Sequence, residues 1–312
     1  MAITSYPGGF RGGSLIKEVP MFDQIPGNVL WVSSTTGGAG NPGTFNRPLS
    51  TIAGALLKCS ANNGDVIFCK PGHAETISAA AGIVLNVAGV RIVGIGQGAS
   101  RPTITWSATA STMTCSAANM SLENFALKAG IASVVIGINL LAGSTDFRLD
   151  RCSFYVSTST FCFVTTISTT STNNAHDGLT VTRCEVSDAS TANVNFVSIL
   201  GNIDRFVFED NVITMGVSDN GQVIAGSSKA LTAISVQRNT VYRGSIASTA
   251  ESGDIFIGTS SAANTGVIAN NMIGHLDPLA ESIINVTGAQ NFNNLSCGVV
   301  DKSGYLLPGA DS

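Results

Sequence analysis

Apolar and polar residues alternate in one short block that recurs along the second half of the chain. Phe147-Arg148-Leu149-Asp150-Arg151-Cys152 leads into Ser153, Phe154 and Tyr155. Leu179-Thr180-Val181-Thr182-Arg183-Cys184, Phe206-Val207-Phe208-Glu209-Asp210-Asn211 and Ile234-Ser235-Val236-Gln237-Arg238-Asn239 repeat it, each followed by a second short apolar run. Weaker copies end at Asn271 and Cys297, and an earlier relative, Met120-Ser121-Leu122-Glu123-Asn124, is one residue shorter. The closing residues therefore fall at Asn124, Cys152, Cys184, Asn211, Asn239, Asn271 and Cys297, in steps of 28, 32, 27, 28, 32 and 26 residues.

Alternation with period two marks a strand with one buried face. A strand, a bend and a second strand recurring at this interval make one coil of a parallel solenoid. The expected fold is all-β, a single-stranded right-handed parallel β-helix of about eight rungs. The seven closing residues then stack as a structural ladder, because Asn hydrogen-bonds along a column and tolerates a sharp bend, while Cys is small enough for the same slot. Cys152 and Cys184 are expected as a reduced stacked pair. Just before the ladder, Arg151, Arg183, Asp210 and Arg238 form a column in which Asp210 can pair with both neighbouring arginines. Segments 157–174 and 245–265, rich in Ser, Thr, Ala and Gly, supply the third face.

The first part of the chain reads differently. Residues 1–30 lack periodicity and carry the pairs Gly8-Gly9 and Gly12-Gly13, the pattern of an extended N-terminal arm. Ser50 can cap a short helix over residues 51–60, with Ile52, Ala55 and Leu56 on one face to cover the open end of the solenoid. Residues 64–68 would be the first core strand and residues 90–95 would open the next rung. The helix body is expected over 31–300, with its N-terminal cap at 31–77 and a C-terminal tail at 301–312 that is too short for a further domain.

Within that cap, Trp31-Val32-Ser33-Ser34-Thr35-Thr36-Gly37-Gly38, Gly43, Arg47-Pro48-Leu49-Ser50-Thr51-Ile52, Gly64-Asp65-Val66-Ile67 and Pro71-Gly72-His73-Ala74-Glu75-Thr76-Ile77 resemble the opening segment of pectin-lyase-like β-helix proteins of tailed bacteriophages. The resemblance implies a virion protein assembled in a host cytoplasm. Its favoured form is a capsid decoration or cement protein. Such a protein would bind the major capsid protein through the arm, with Phe10, Leu15, Ile16 and Phe22 as apolar contacts. The alternative is a small tailspike or receptor-binding β-helix that binds or cleaves host glycan.

Composition narrows the chemistry. Charged residues make up only 12% of the chain against hydrophobics at 44%, so part of the surface is expected to be covered in an oligomer, here a homotrimer. A net charge of −4, with 16 basic residues scattered along the sequence, argues against nucleic acid. The seven Cys show no metal-like spacing, and no cofactor is implied. Residues 1–11 lack the pattern of a signal peptide, and the most apolar stretch, residues 131–142, is too short to span a membrane. Asp204 and Arg205 beside Glu209 and Asp210 form the best acidic cluster, read as a solvated face. His73 and Glu75 read as a turn-stabilising pair, His176 and Asp177 as an exposed loop, and His275 has no partner in sequence. Without a recognisable carboxylate pair, the chain is expected not to be an enzyme.

Overall fold

The computed structural model describes residues 25–156, 160–188, 190, 194–216, 222–226, 228–243, 256–259, 261, 263–275, 284–297 and 304–306. The chain winds as a right-handed parallel β-helix of three sheets visited in the same order on every coil. The first sheet has ten strands, the second ten and the third eight. Apart from Gly304–Leu306, which runs antiparallel against Asn294–Cys297, the neighbours in these three sheets are parallel.

Alternation decides which side chains enter the core. In the first sheet the register stacks Ile67, Ile92, Leu122, Leu149, Val181, Phe208, Val236 and Ile268 in one inward column. Leu127, Phe154, Val186, Ile213, Val241 and Ile273 do the same in the second sheet. Ile138, Ile167, Val197, Ile224 and Ile257 form the third column. An aromatic run fills the interior, with Trp106, Phe163, Phe154 and Phe196 packed edge to face at centroid distances of 5.2, 6.3 and 5.2 Å. Trp106 satisfies its buried indole N–H on the Gly137 carbonyl at 3.0 Å. The weaker repeat at 266 begins with glycine for a steric reason. Gly266 has φ +121, and a Cβ there would lie 2.3 Å from the Ile234 carbonyl oxygen.

The bend between the first and second sheets is built by two adjacent columns. Asn124, Arg151, Arg183, Asp210, Arg238, Asn270 and Asn293 all adopt the left-handed conformation, with φ between 53 and 60. The next residue points inward and forms the ladder, which contains Phe125, Cys152, Cys184, Asn211, Asn239, Asn271 and Asn294. Two expected members are therefore corrected. Asn124 occupies the left-handed corner, where its amide donates to the carbonyls of Gly94 and Gly96 at 2.8 and 3.0 Å. Cys297 lies opposite Gly274 on a strand, and Asn294 holds the ladder position. The one-residue shortfall before Asn124 and the doubled Asn293-Asn294 had shifted the alignment at both ends.

Each ladder Asn bonds in two directions. Asn211 donates to the Val181 carbonyl at 3.1 Å and to Asn239 Oδ1 at 3.0 Å, and its own Oδ1 accepts the backbone N–H of Cys184 at 2.9 Å. Asn239 and Asn271 repeat the pattern against Phe208 and Val236. The thiols of Cys152 and Cys184 aim weaker bonds at the carbonyls of Leu122 and Leu149, at 3.6 and 3.9 Å. Both cysteines are free, and burial raises the Cys152 thiol to about 12.

The N-terminal end differs from expectation by one rung, since Val29–Val32 pairs with Val66–Cys69 ahead of residues 90–95. The capping helix is only Ile52–Leu56, and Thr51 rather than Ser50 caps it by accepting the Gly54 N–H at 3.1 Å. Ile52, Ala55 and Leu56 are buried beneath it. Residues 1–24 and most of 298–312 lie outside the described residues, including Phe10, Leu15, Ile16 and Phe22.

Replacing Asn211 by Asp removes a donor that serves two oxygens and places a carboxylate against them. Urea unfolding of Asn211→Asp should show a loss of about 2–4 kcal/mol. Asn270→Asp, in the neighbouring left-handed column, should cost much less.

His176 supplies a pH-dependent test. Expected in an exposed loop, it is fully buried, with Nδ1 2.8 Å from Ser144 Oγ and Nε2 accepting the Thr170 backbone N–H at 3.1 Å. Burial holds its imidazole below the usual value despite the nearby Asp177. The unfolded chain therefore binds this proton more readily than the folded one, and stability falls as pH drops through and below about 6.5. The melting temperature should drop between pH 7.5 and 5.5, and the drop should shrink in His176→Gln.

Candidate functional site

The outward edge of the first sheet gathers the charge that looked scattered in sequence. Register places Glu123, Asp150, Thr182, Glu209 and Gln237 in one column, directly before the left-handed corner. Arg91, Ser121 and Arg148 form the column two positions earlier. Arg151 and Arg183 reach in from the corner itself.

Glu123 and Asp150 are outward-facing yet almost fully buried, with side chains 7% and 1% exposed. Arginines shield them. Arg91 grips Glu123 through Nε and Nη2, each at 3.1 Å, and Ser121 Oγ adds a bond at 3.1 Å. Arg183 grips Asp150 through Nε and Nη2 at 2.8 and 2.7 Å, and Thr182 Oγ1 donates to it at 2.9 Å. Arg151 bridges the two rungs, 3.1 Å from Asp150 and 3.4 Å from Glu123. Arg148 is held loosely, 3.7 Å from Asp150. The bonds to Asp150 raise the Arg183 guanidinium further above its ordinary value.

Four guanidiniums face two carboxylates, which leaves two positive charges in excess around an open depression of about 410 Å³. Asp146 at its rim is paired with Arg205 at 3.2 Å. Arg91, Arg151 and Arg183 each use their Nε and Nη2 groups on the carboxylates, so Nη1 is left to a ligand. The buried acids orient the row. The exposed amino groups can take carboxylate or phosphate oxygens in fork geometry.

The other candidates fall elsewhere. Asp210 pairs with Arg238 at 2.8 Å, whereas Arg183 turns to Asp150, so the expected double pairing of Asp210 is corrected. Arg238 also binds Glu209, and its bond holds the Asp210 carboxyl below the usual range. Asp204 accepts from Thr232 Oγ1 at 2.8 Å and pairs with its neighbour Arg205. His73 bonds Glu75 at 3.0 Å, and Glu75 also accepts the Ile52 N–H, tying the second sheet to the capping helix. The side chain of His275 lies outside the described residues.

Sequence reading missed Glu123 as the partner of Asp150. Aligning on the core residues Leu122, Leu149, Val181 and Phe208, instead of on the closing residue, puts both acids in one column.

No known family and no curated protein matches the chain. Solved structures do. A rhamnogalacturonan lyase is 14% identical with a TM-score of 0.50, covering 89% of this chain and 84% of its own. A GH136 lacto-N-biosidase from Eubacterium ramulus is 9% identical with a TM-score of 0.40, covering 87% and 68%. ORF18 of Geobacillus virus E2 is 13% identical with a TM-score of 0.39, and the match spans 79% of this chain and 57% of that one. The likeness to the lyase agrees with the β-helix that the strand register shows. The expectation of a non-enzyme is corrected by the likeness to the lyase: the fold shared along most of both chains is one that an enzyme also uses, so it gives no ground to expect a protein without activity. Glu123 and Asp150 do sit opposite each other on adjacent rungs, with both carboxylates buried and held by arginines.

Removing one buried acid strands its cations. Asp150→Ala should lower unfolding stability by about 2 kcal/mol, the loss of charge-assisted hydrogen bonds whose arginine partners are half-exposed and regain water. Adding Arg183→Ala should recover part of that loss in a double-mutant cycle.

Proposed function

We propose that this chain is a carbohydrate-active β-helix carried on a phage virion, which engages an anionic glycan along the guanidinium row of its first sheet. The carrying observation is that row: four arginines held in place by two buried carboxylates, with Nη1 groups uncommitted, on a surface otherwise poor in charge. Polymers bearing a carboxylate or phosphate at each repeat match such a row. The fold shared with a rhamnogalacturonan lyase supports carbohydrate as the ligand class. The resemblance of residues 31–77 to phage proteins supports the virion setting, with assembly in a host cytoplasm.

Native gels containing polygalacturonate should retard the protein, and gels containing neutral dextran should not. Retardation should weaken with salt. Arg148→Gln combined with Arg183→Gln should weaken binding about tenfold or more, the equivalent of roughly 1.4 kcal/mol. Cleavage is read by unsaturated or reducing ends. Equal mobility in polygalacturonate, a phosphate-bearing glycan and dextran would overturn the proposal.

A second reading keeps the chain as a capsid decoration protein, a homotrimer held on the major capsid protein by residues 1–30. An apolar strip on the second sheet favours it. Val212, Met272 and Leu295, at 52%, 50% and 40% exposure, share one register column that Thr240 interrupts, with Tyr242 in the next outward column. Such a strip is suited to cover by a neighbouring subunit or shell. Light scattering should then give a trimer, and deletion of residues 2–28 should abolish capsid binding without unfolding the helix. A monomer, or a truncated chain that still decorates particles, would exclude it.

A further inference from the structure

The second sheet carries a depression that the arginine row does not include. Its floor is the register column Thr103, Ala126 and Ser153, continued by Glu185. Gly98, Ala99, Arg101 and Tyr155 complete the wall around about 350 Å³. Small floor residues leave the hollow, and the turn Gly98–Ser100 raises one side of it. Tyr155 stands two residues beyond Ser153 and so on the same outward face, with Lys128 Nζ 5.9 Å from its ring centroid.

Arg101 is the unusual member. The arginines of the first sheet are each held by a carboxylate, but Arg101 has no ion pair among the described residues. Its Nε is buried and has no hydrogen-bond partner. A buried donor without an acceptor is costly, and natural proteins retain few of them. Arg101 lines the depression without a paired counter-charge among the described residues, so a ligand carboxylate that enters it meets an unpaired cation.

We propose that this depression is a second glycan subsite, taking a sugar ring that bears a carboxylate. The ring rests on Tyr155, its carboxylate meets Arg101, and its hydroxyls bond Ser153 and Glu185. This rests on the anionic-glycan reading and extends it. Both sites occupy the coils that contain residues 91–106, 121–129, 148–156 and 180–188, on either side of the left-handed corner. A single chain of acidic sugars that bends across Arg151 reaches both, so the bound form is an oligosaccharide and not one residue.

Calorimetric titration with galacturonate oligomers of increasing length tests this on the full chain. Affinity should rise until both sites are filled and then level off. Arg101→Gln and Tyr155→Ala should each weaken the long oligomers about tenfold. Tyr155→Phe, which keeps the ring, should bind like the parent protein. Circular dichroism and melting temperature of these surface variants should stay unchanged. If long oligomers bind and the first-sheet variants lose affinity while Arg101→Gln and Tyr155→Ala do not, the subsite is wrong and the arginine row stands. If only the second-sheet variants lose affinity, the subsite stands and the arginine row fails. If no oligomer binds the parent protein, both fall.

Discussion

Every coil of this protein must turn a corner between its first and second sheets, and the backbone N–H groups buried at that corner need an acceptor. The Asn column solves this. Each side-chain oxygen takes the backbone N–H one rung before it, and each side-chain amide reaches back to a strand carbonyl and to the next Asn. The rungs are thereby locked in register by side chains as well as by strand pairing. Upstream, Cys184 and Cys152 replace Asn with the weaker bonds of a thiol, to a strand carbonyl and to the backbone N–H one rung before, and at Phe125 the column becomes apolar packing. Burial keeps the Cys184 thiol protonated there, as it does that of Cys152.

The corner has a chemical consequence. For the ladder residue to point inward, the residue before it must take a left-handed conformation and point outward. Arginine fills that position on the rungs at 151, 183 and 238, and the strand residue just before it is an acid or an uncharged polar residue. Buried acids and half-exposed guanidiniums therefore assemble along the same edge, and strand spacing sets their separation. A solenoid needs no separate loop to build such a site, because the stacking that makes the core also makes the row.

Much of this was legible in sequence. Four strong copies of the block, at 147–152, 179–184, 206–211 and 234–239, carried the fold, the ladder between Cys152 and Asn271, and the role of the second apolar run. The errors trace to single-residue offsets. Asn124 looked like a ladder residue because it is the Asn that closes an alternating run, yet Phe125 holds that place, and the same slip hid the pairing of Glu123 with Asp150. The basic residues looked dispersed because coil stacking brings together position 91, the neighbours 148 and 151, and position 183, which belong to three different coils. The environment of His176 was not legible at all. Its burial depends on Ser144, one coil away, and no local pattern encodes that contact.

The central claim is that one edge of the first sheet receives an anionic chain. Hydrogen–deuterium exchange with and without a long galacturonate oligomer locates that contact directly. The account predicts slowed exchange in peptides covering residues 148–156 and 180–186, with the outer strands of the third sheet unchanged. Protection confined to the third sheet, or none anywhere at saturating oligomer, would contradict it.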